Sequence, residues 1–271
     1  MQSTWEWKNN EGMQYLTLPA WQARGVNLYF SSRHGGVSKH PYEALNLSLK
    51  VGDQEDNVLT NRIALIDAIG GDLRNVVCCE QVYEHQVAVV DKTDRGRGAI
   101  QLTDVIPGCD AMITNTPGVI LMGLFADNLP IYFFDPFKRV IGLAHFGYNG
   151  KYGQITWETA KKMTQVFRCN YWDIEVFIGP GLCKSCNLIS EDKAHHLKDA
   201  YPLLNDFICK TDKGFSWDMI STNRRMLEIQ GINPEKISSC NFCTSCGDNH
   251  FFSKARDGIT GRMAAVISLD R

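Results

Sequence analysis

Two polar loops follow apolar runs in the stretch LFADNLPIYFFDPFKRVIGLAHFGYNG, residues 124–150. The first loop carries Asp127 and Asn128, and the second carries His145 in a glycine-punctuated turn. An imidazole can transfer a proton or bind a metal near neutral pH, and a side-chain amide both donates and accepts hydrogen bonds. Because loops at the ends of strands hold functional groups on a rigid scaffold, these residues are candidates for a small-molecule site.

Ten cysteines among 271 residues are a second source of chemistry. Five of them fall into the motifs CKSC and CNFCTSC, namely Cys183, Cys186, Cys240, Cys243 and Cys246. C-x2-C spacing lets two sulfurs converge on one ion, and two such halves form a structural zinc site or ligate an iron–sulfur cluster. Free cysteines also occur as small buried hydrophobes, so both roles are open for this set. The other five have no ligand spacing and are expected in the core: Cys78, Cys79, Cys109, Cys169 and Cys209.

The composition is that of a globular protein that can bury a sizeable core, with 44% hydrophobic and 21% charged residues. The 28 basic and 30 acidic residues give a net charge of -2, which provides no basic footprint for nucleic acid or an anionic membrane. The first residues do not resemble a secretory signal, and the longest apolar run, 119–126, is too short to span a bilayer. We expect a cytoplasmic protein whose cysteines are thiols or metal ligands.

Short apolar segments dominate the middle of the chain. Four of them, DAMITN, VILMGLFA, IYFFD and VIGLAHF, lie between residues 110 and 146 and predict central strands covered on both faces. Further strands are predicted at 27–32, 75–82, 85–91, 174–179 and 262–269, and helices at 155–167, 191–200 and 221–231. Another helix should begin with Asp53 as its cap and end at the Gly70-Gly71 pair. This mixture predicts an α/β or α+β fold with mixed sheets flanked by helices.

Six motifs occur along the chain in a familiar order: SSRHGGVSKHPYEALNLS, GCDAMITNTPGV, FADNLPIYFFDP, AHFGYNG, IGPGL and CTSCGDNHFFSKARDGITGR. Together they resemble the YfiH/YlmD family of laccase-domain proteins, also described as multicopper polyphenol oxidases. The resemblance begins near residue 25, so we expect one domain over 1–271 with 1–24 as an N-terminal extension. Family members are described as purine nucleoside phosphorylases with adenosine deaminase activity, and one as a peptidoglycan editing factor. The resemblance therefore implies a purine nucleoside and phosphate as small-molecule substrates.

The resemblance also implies one zinc or copper ion held by a His, a Cys and a His. At the matching positions this sequence has Tyr83, Asn128 and His145, so only the last ligand is present. A neutral amide is a weak zinc ligand, and a tyrosine phenol, with a pKa of about 10, must lose its proton before it binds well. On a regular strand His85 would share a face with Tyr83 and could replace a missing ligand; a surface histidine is the alternative. We predict that this metal site is empty or weakly occupied.

Other positions match the family pattern and complete the implied site. Arg33 lies beside glycines in SRHGG, where its guanidinium suits phosphate, and Asn46 matches a family asparagine near the site. Arg256 and Arg262 are further candidates for binding the substrate, although an arginine can equally form a structural salt bridge or hold loop carbonyls. Ala255 replaces a family arginine, and Tyr148 and Asn149 replace a tryptophan and an arginine. We predict that one pocket gathers Arg33, Asn46, Asp127, Asn128 and His145.

Three functions follow from these residues. The first is a purine nucleoside enzyme, in which phosphate lies near Arg33 while His145 or Asp127 transfers protons, or in which a metal activates water for deamination. The second is a paralogue that has lost the metal-dependent reaction and binds a nucleoside-like ligand or a partner, with Tyr83 and Asn128 as contacts. The third is a copper-dependent polyphenol oxidase. It is the least favoured, because such an enzyme needs many histidine ligands and this chain has seven histidines in total.

Overall fold

The computed structural model describes residues 5–147, 154–247 and 249–270. Its strands in chain order are β1 (Glu6–Asn10), β2 (Met13–Thr17), β3 (Val26–Ser31), β4 (Val76–Cys78), β5 (Val87–Val89), β6 (Ala111–Thr114), β7 (Ile120–Phe125), β8 (Leu129–Asp135), β9 (Val140–Phe146), β10 (Glu175–Ile178), β11 (Leu188–Ile189), β12 (Ile208–Thr211), β13 (Gly214–Trp217), β14 (Ile237–Ser239) and β15 (Met263–Leu269). The α-helices are α1 (Pro19–Gln22), α2 (Glu55–Ala68), α3 (Gln154–Phe167), α4 (Glu191–Ala200), α5 (Met219–Ile229) and α6 (Lys254–Asp257).

The strands form two six-stranded sheets and one three-stranded sheet. The first sheet has the order β1-β2-β3-β15-β7-β4, and only its last pair is parallel. The second has the order β14-β10-β8-β9-β6-β5, with a parallel pair at each edge and antiparallel strands between. The small sheet, β11-β13-β12, is antiparallel. The predicted class, mixed sheets flanked by helices, is confirmed.

The two large sheets pack face to face between layers of helix. Along β8, Tyr132 and Phe134 belong to the hydrophobic cluster shared by both sheets. The intervening Ile131 and Phe133 belong to a second cluster, which includes residues of α3, α4 and α5. On the outer face of the first sheet, α2 covers a third cluster. Because side chains alternate between the faces of a strand and both faces are covered, the sequence runs are continuously apolar, as predicted.

Residues 5–24, which precede the motifs of the family resemblance, contribute to the first sheet. They form β1, β2 and the short helix α1, and β2 pairs with β3. Trp21 of α1 is buried, and its indole N–H donates to Glu175 Oε2 at 3.0 Å. Arg24 donates to both oxygens of the same carboxylate at 2.6 Å. This segment therefore packs against the second sheet as well as extending the first.

Helix α2 begins differently from the prediction. Its N-cap is Gln54, which makes no side-chain capping bond, so the predicted cap at Asp53 is wrong. The Asp53 carboxylate instead accepts hydrogen bonds from Ser38 Oγ at 2.6 Å and Asn46 Nδ2 at 2.9 Å. Asn46 is fully buried, and an unpaired buried amide is costly. The Asp53 carboxylate is therefore occupied by hydrogen bonds from the preceding loop and does not cap α2.

The strands predicted at 75–82 and 85–91 are shorter in the structure, at Val76–Cys78 and Val87–Val89. The residues between them form a loop in which Gln81 and Tyr83 have positive φ values of 58° and 64°. Non-glycine residues seldom adopt this conformation. It interrupts the extended backbone, so the side chains of this loop no longer alternate between the two faces of a strand.

Among the helices of the described residues, none combines the length and apolar character needed to cross a bilayer.

Candidate functional site

Three polar side chains meet at one end of the second sheet. Asn128 immediately precedes β8, Asp110 immediately precedes β6, and His145 is the penultimate residue of β9. Strand β9 lies between β8 and β6 and is antiparallel to both, so its last residues lie beside the first residues of each neighbour. The strand pairing itself therefore brings an acid, an imidazole and an amide together.

His145 is held from both sides of its ring. Its Nδ1 lies 2.8 Å from Asp110 Oδ1, and its Nε2 lies 2.7 Å from Asn128 Nδ2. The histidine is 6% exposed and Asp110 is 1% exposed, so both groups depend on each other rather than on water. Because a carboxylate only accepts, we assign the ring proton to Nδ1 and the lone pair to Nε2. The result is an oriented neutral base with its reactive nitrogen beside Asn128.

The second oxygen of Asp110 fixes the loop that carries Tyr83. It accepts hydrogen bonds from the backbone N–H groups of Val82, at 3.1 Å, and Glu84, at 2.7 Å. These bonds stabilise the positive φ of Tyr83, an unfavourable backbone conformation of the kind found at functional sites. The Tyr83 hydroxyl lies 3.4 Å from Asn128 Nδ2, and its ring centroid lies 5.1 Å from that of His145.

Gly147 allows this close approach. A Cβ atom at this position would lie 2.8 Å from Tyr83 Cε1 and 2.9 Å from Asn128 Nδ2, closer than side chains tolerate. The three positions at which the sequence resemblance implied metal ligands, Tyr83, Asn128 and His145, are therefore neighbours in space. Tyr148 and Asn149, which also depart from the implied pattern, lie outside the described residues.

These three side chains do not fit a catalytic zinc or copper ion. The Asn128 amide donates to the Nε2 lone pair that a metal would need. An amide and a phenol are also poor substitutes for a thiolate and an imidazole. Across the described residues, the one set of at least three histidine, cysteine or carboxylate side chains with converging ligand atoms lies elsewhere, among the cysteines.

His85 does not stand in for the missing ligands. The loop at 81–84 is not a strand, so Tyr83 and His85 do not share a face. His85 lines a different pocket, together with Trp157 and Tyr201, and its buried Nδ1 has no hydrogen-bond partner among the described residues. Replacement of a missing ligand by His85 required strand geometry that this loop lacks.

His145 lines a pocket of about 190 Å³ that also holds positive charge. Tyr83 and Asn128 contribute to its wall, together with the cationic side chains of Lys50 and Arg262. Arg262 donates to the carbonyls of Thr260 and Gly261 at 2.9 Å, and burial lowers the pKa of its guanidinium. Since an arginine stays protonated at neutral pH, the pocket offers an anion a fixed charge close to the imidazole.

The predicted convergence on one pocket holds for Asn128 and His145 only. Arg33 lines a separate pocket with His40, Glu43 and Asp257. Its guanidinium donates to the Glu43 carbonyl at 2.8 Å and lies over the Phe252 ring, 4.7 Å from the centroid. Burial lowers the pKa of Arg33, while the charge of Asp257 opposes that shift. Arg33 therefore does not line the pocket of His145.

Asp127 and Asn46 do not line the pocket, and their hydrogen bonds hold the backbone segments that carry Asn128 and Arg262. Asp127 is buried; its Oδ1 accepts from Thr244 Oγ1 at 2.7 Å and its Oδ2 from the Ala255 N–H at 2.8 Å. Asn46 Oδ1 accepts from the backbone N–H of Arg262 at 3.0 Å. Asp127 thus anchors the loop that presents Asn128, and Asn46 fixes the backbone that presents Arg262.

Arg256 forms a structural salt bridge and holds loop carbonyls, and does not act as a binding residue at the pocket of His145. Its side chain donates to the Asp257 carboxylate at 2.6 Å and to the backbone carbonyl of Phe251 at 2.8 Å. Its other terminal nitrogen reaches the carbonyls of Thr244 and Ser245. The hydrogen bond to Asp257 raises the pKa of this guanidinium. Arg256 holds a loop together and does not line the pocket of His145.

Sequence analysis did not identify Asp110 and Lys50 as site residues. Asp110 offered a signal, since an acid directly before a buried strand lies in the quoted GCDAMITN motif, but its pairing with His145 depends on strand order. Lys50 offered no signal of spacing or motif. Its ammonium donates to the Glu80 carbonyl at the pocket wall, a contact that depends on the packing of two loops.

Four of the five cysteines in the CKSC and CNFCTSC motifs lie close together. The Sγ atoms of Cys183, Cys186, Cys243 and Cys246 all lie within 4.8 Å of one another. Cys240 is not in this group; it is buried in the cluster between the two large sheets. All ten cysteines are free thiols. The core assignment is correct for Cys78, Cys79, Cys109 and Cys169, whereas Cys209 is partly exposed on β12.

The sequence as a whole matches a known family. The profile described as "Multi-copper polyphenol oxidoreductase laccase" matches residues 27–270. The chain belongs to this laccase family. Purine nucleoside phosphorylase YlmD of Geobacillus stearothermophilus is 36% identical over 266 residues, which is 95% of each chain. The crystal structure of YlmD from the same organism superimposes with a TM-score of 0.90 at 33% identity, covering 97% of this chain and 98% of that one.

A second structural neighbour is the hypothetical protein YfiH of Bacillus licheniformis. Its crystal structure superimposes with a TM-score of 0.89 at 29% identity, covering 97% of this chain and 99% of that one. The resemblance to the YfiH/YlmD family inferred from the six motifs is confirmed.

Proposed function

We propose that this protein is a purine nucleoside phosphorylase that works without a metal at the Tyr83, Asn128 and His145 site. The observation that carries the proposal is the chain of hydrogen bonds from Asp110 through His145 to Asn128 at the wall of a cationic pocket. The name of the relative from Geobacillus stearothermophilus supports the same reaction class.

The dimensions of the pocket favour a purine base in its enclosed part. About 190 Å³ is below the roughly 300–1,000 Å³ of typical ligand pockets, so the sugar and phosphate would lie toward the open mouth. Tyr83, which is 38% exposed, offers an aromatic face on which a purine base can stack. Arg262 and Lys50 supply charge for the phosphate.

In the proposed reaction, a phosphate oxygen bonds to C1′ of the ribose while the C1′–N9 bond breaks and its electron pair passes to the purine. The hydrogen of HPO₄²⁻ moves to His145 Nε2 and then to a ring nitrogen of the leaving base. The products are ribose 1-phosphate and the free purine, so atoms and charge balance. Asp110 keeps Nε2 available as the base and stabilises the imidazolium formed in between.

The other two family activities gain less support from these residues. Deamination of adenosine needs an activated water, which a metal supplies in hydrolytic enzymes, and the donor set at His145 does not fit a metal. Oxidation of polyphenols by copper needs several histidine ligands in one place. The residues that the structure describes hold no such histidine group.

One contact favours a second candidate, a nucleoside-binding protein that does not turn its ligand over. The Asn128 amide lies 2.7 Å from His145 Nε2 and uses the lone pair that the reaction needs. Catalysis requires this amide to move away, whereas binding alone does not. Calorimetric titration with inosine, beside the activity assay, separates the two: binding without release of base supports the second candidate.

The effect of having Tyr83 and Asn128 in place of two metal ligands can be tested by changing both residues to those ligands. The double change Tyr83→His and Asn128→Cys, in protein loaded with zinc, is expected to raise the rate of base release from adenosine or inosine with phosphate at least about tenfold. The reason is that a thiolate and two imidazoles hold an ion well, whereas the present side chains do not. Chromatography of the free base and ribose 1-phosphate measures the rate.

The same double change combined with His145→Ala is the matched control and should lose the gain. Equal activity of the wild type and the restored protein would show that the missing ligands never mattered. Release of no base by the wild type in any condition would contradict the proposed phosphorolysis.

A further inference from the structure

Two loops that carry cysteines follow the carboxyl ends of two neighbouring strands of the second sheet. Strands β10 and β14 are parallel neighbours, and the loops after them contain Cys183 with Cys186 and Cys243 with Cys246. The loops are joined by backbone hydrogen bonds on both sides of Gly181. Its N–H donates to the Phe242 carbonyl at 3.2 Å, and its carbonyl accepts from the Thr244 N–H at 3.1 Å. The two C-x2-C halves are therefore positioned by the sheet.

The distances between the sulfurs match a single tetrahedral ion. Two thiolates, each about 2.3 Å from one ion at the tetrahedral angle, lie about 3.8 Å apart. Cys183 Sγ and Cys246 Sγ are 3.8 Å apart, and all four sulfurs lie within 4.8 Å of one another. An iron–sulfur cluster places several iron and sulfide atoms between its cysteines, and sulfurs this close leave no room for them.

Two backbone N–H groups point at the Cys243 sulfur. The backbone N–H groups of Cys183 and Cys246 both donate to Cys243 Sγ at 3.4 Å. Such N–H···S contacts accompany thiolate ligands of metals. Cys246 is exposed, so an ion has a path to the site.

We propose that Cys183, Cys186, Cys243 and Cys246 bind one zinc ion as a structural site. Four protein ligands fill the tetrahedral coordination of zinc and leave no position for a substrate or water. The ion would connect the loop after β10 to the loop after β14. This site is separate from the pocket of His145 and does not depend on the reaction proposed there.

The zinc ion would also fix the backbone beside the pocket of His145. The Asp127 carbonyl accepts from the Leu182 N–H at 3.0 Å, and the Asp127 carboxylate accepts from Thr244 Oγ1 at 2.7 Å. One of these donors belongs to each cysteine loop. Asp127 directly precedes Asn128, so fixing both loops fixes the backbone that presents Asn128 to His145.

Elemental analysis of the full-length protein, purified without air and without added metals, tests the proposal. We expect about one zinc per chain in the wild type and loss of most of that zinc in Cys183→Ser and in Cys246→Ser. Two variants serve as matched controls: Cys209→Ser removes a half-buried cysteine elsewhere, and His145→Ala removes the imidazole of the other site. Both controls should keep their zinc.

A measurement on the wild type guards against variants that fail to fold. Treatment with a strong chelator should lower the melting temperature by roughly 10 °C and make the four thiols reactive toward a thiol reagent, both reversed by added zinc. Cobalt(II) added in place of zinc should give the absorption of a tetrahedral thiolate complex. Four results would overturn the proposal: no metal in the wild type, a disulfide between these cysteines, iron with acid-labile sulfide, or zinc lost with His145→Ala and kept in the cysteine variants.

Discussion

Asp110→Asn is expected to lower the rate of nucleoside phosphorolysis by about 100- to 10,000-fold, with little change in substrate affinity. The loss follows from the two different roles of the carboxylate oxygens. Oδ2 accepts from two backbone N–H groups, those of Val82 and Glu84, and Oδ1 accepts from His145 Nδ1. An asparagine has one oxygen, and the two N–H donors will hold it.

The amide NH₂ of the substituted residue then faces His145 Nδ1. A donor at this place requires Nδ1 to accept, so the ring proton moves to Nε2 and the lone pair that abstracts the phosphate proton is lost. The substitution is nearly isosteric, and the hydrogen bonds of residue 110 can all form, provided that the Asn128 amide turns its oxygen toward the new Nε2–H. We therefore expect the protein to fold and bind nucleoside as before.

Steady-state kinetics with inosine and phosphate measure the rate, and nitrogen NMR of labelled histidine reports the tautomer. Glu84→Gln is the matched control, because it neutralises an exposed carboxylate two residues from Val82 and leaves Asp110 in place. Wild-type kcat in Asp110→Asn, or an unchanged tautomer, would contradict the role given to Asp110.

A second large effect concerns stability. Arg62→Ala is expected to lower the free energy of unfolding by about 3–5 kcal/mol and the melting temperature by roughly 10 °C. Arg62 of α2 is 1% exposed and donates to the backbone carbonyls of Leu47, Gly98 and Ala99 at 2.7–2.8 Å. Removing its side chain leaves three carbonyls without donors and opens a cavity. Burial lowers the pKa of this guanidinium.

Arg74→Ala provides the comparison. Arg74 pairs with Asp72 at 2.7 Å, but its side chain is 86% exposed, and pairs of this kind contribute little to stability. Denaturation by heat and by urea should therefore separate the two arginine variants clearly. Similar melting temperatures for Arg62→Ala and the wild type would show that water replaces the guanidinium at no cost.

The apolar strands and the long helices could be predicted from the sequence because their patterns are local. Strand β9 and helix α4 have the predicted bounds, and most other elements differ by one or two residues. The hairpin of β12 and β13 was missed, since polar residues such as Lys210 and Thr211 interrupt its apolar pattern. Strands β1 and β2 were missed for a similar reason, because β1 is polar along most of its length.

The site was predicted only where a motif placed two groups on adjacent strands. Asn128 and His145 meet because β8 and β9 are consecutive and antiparallel. Asp110 meets His145 through the pairing of β6 with β9, which depends on the order of strands in the sheet and not on spacing along the chain. Arg33 departs from the predicted pocket because its guanidinium packs on Phe252, far along the sequence. Long-range contacts of this kind carry no local signal.

The N-terminal strands determine which strand of the first sheet is open to pairing with another chain. Strand β1 lies at the edge of the first sheet, and its residues Lys8, Asn9 and Asn10 are exposed and polar, which discourages pairing with another chain. Behind it, β3 carries the fully buried Phe30 and pairs with β2 along its outer side. A chain beginning near residue 25, where the family resemblance starts, would present the unpaired N–H and C=O groups of β3 at an apolar edge. Sedimentation of such a chain should show concentration-dependent oligomers that the full chain does not form.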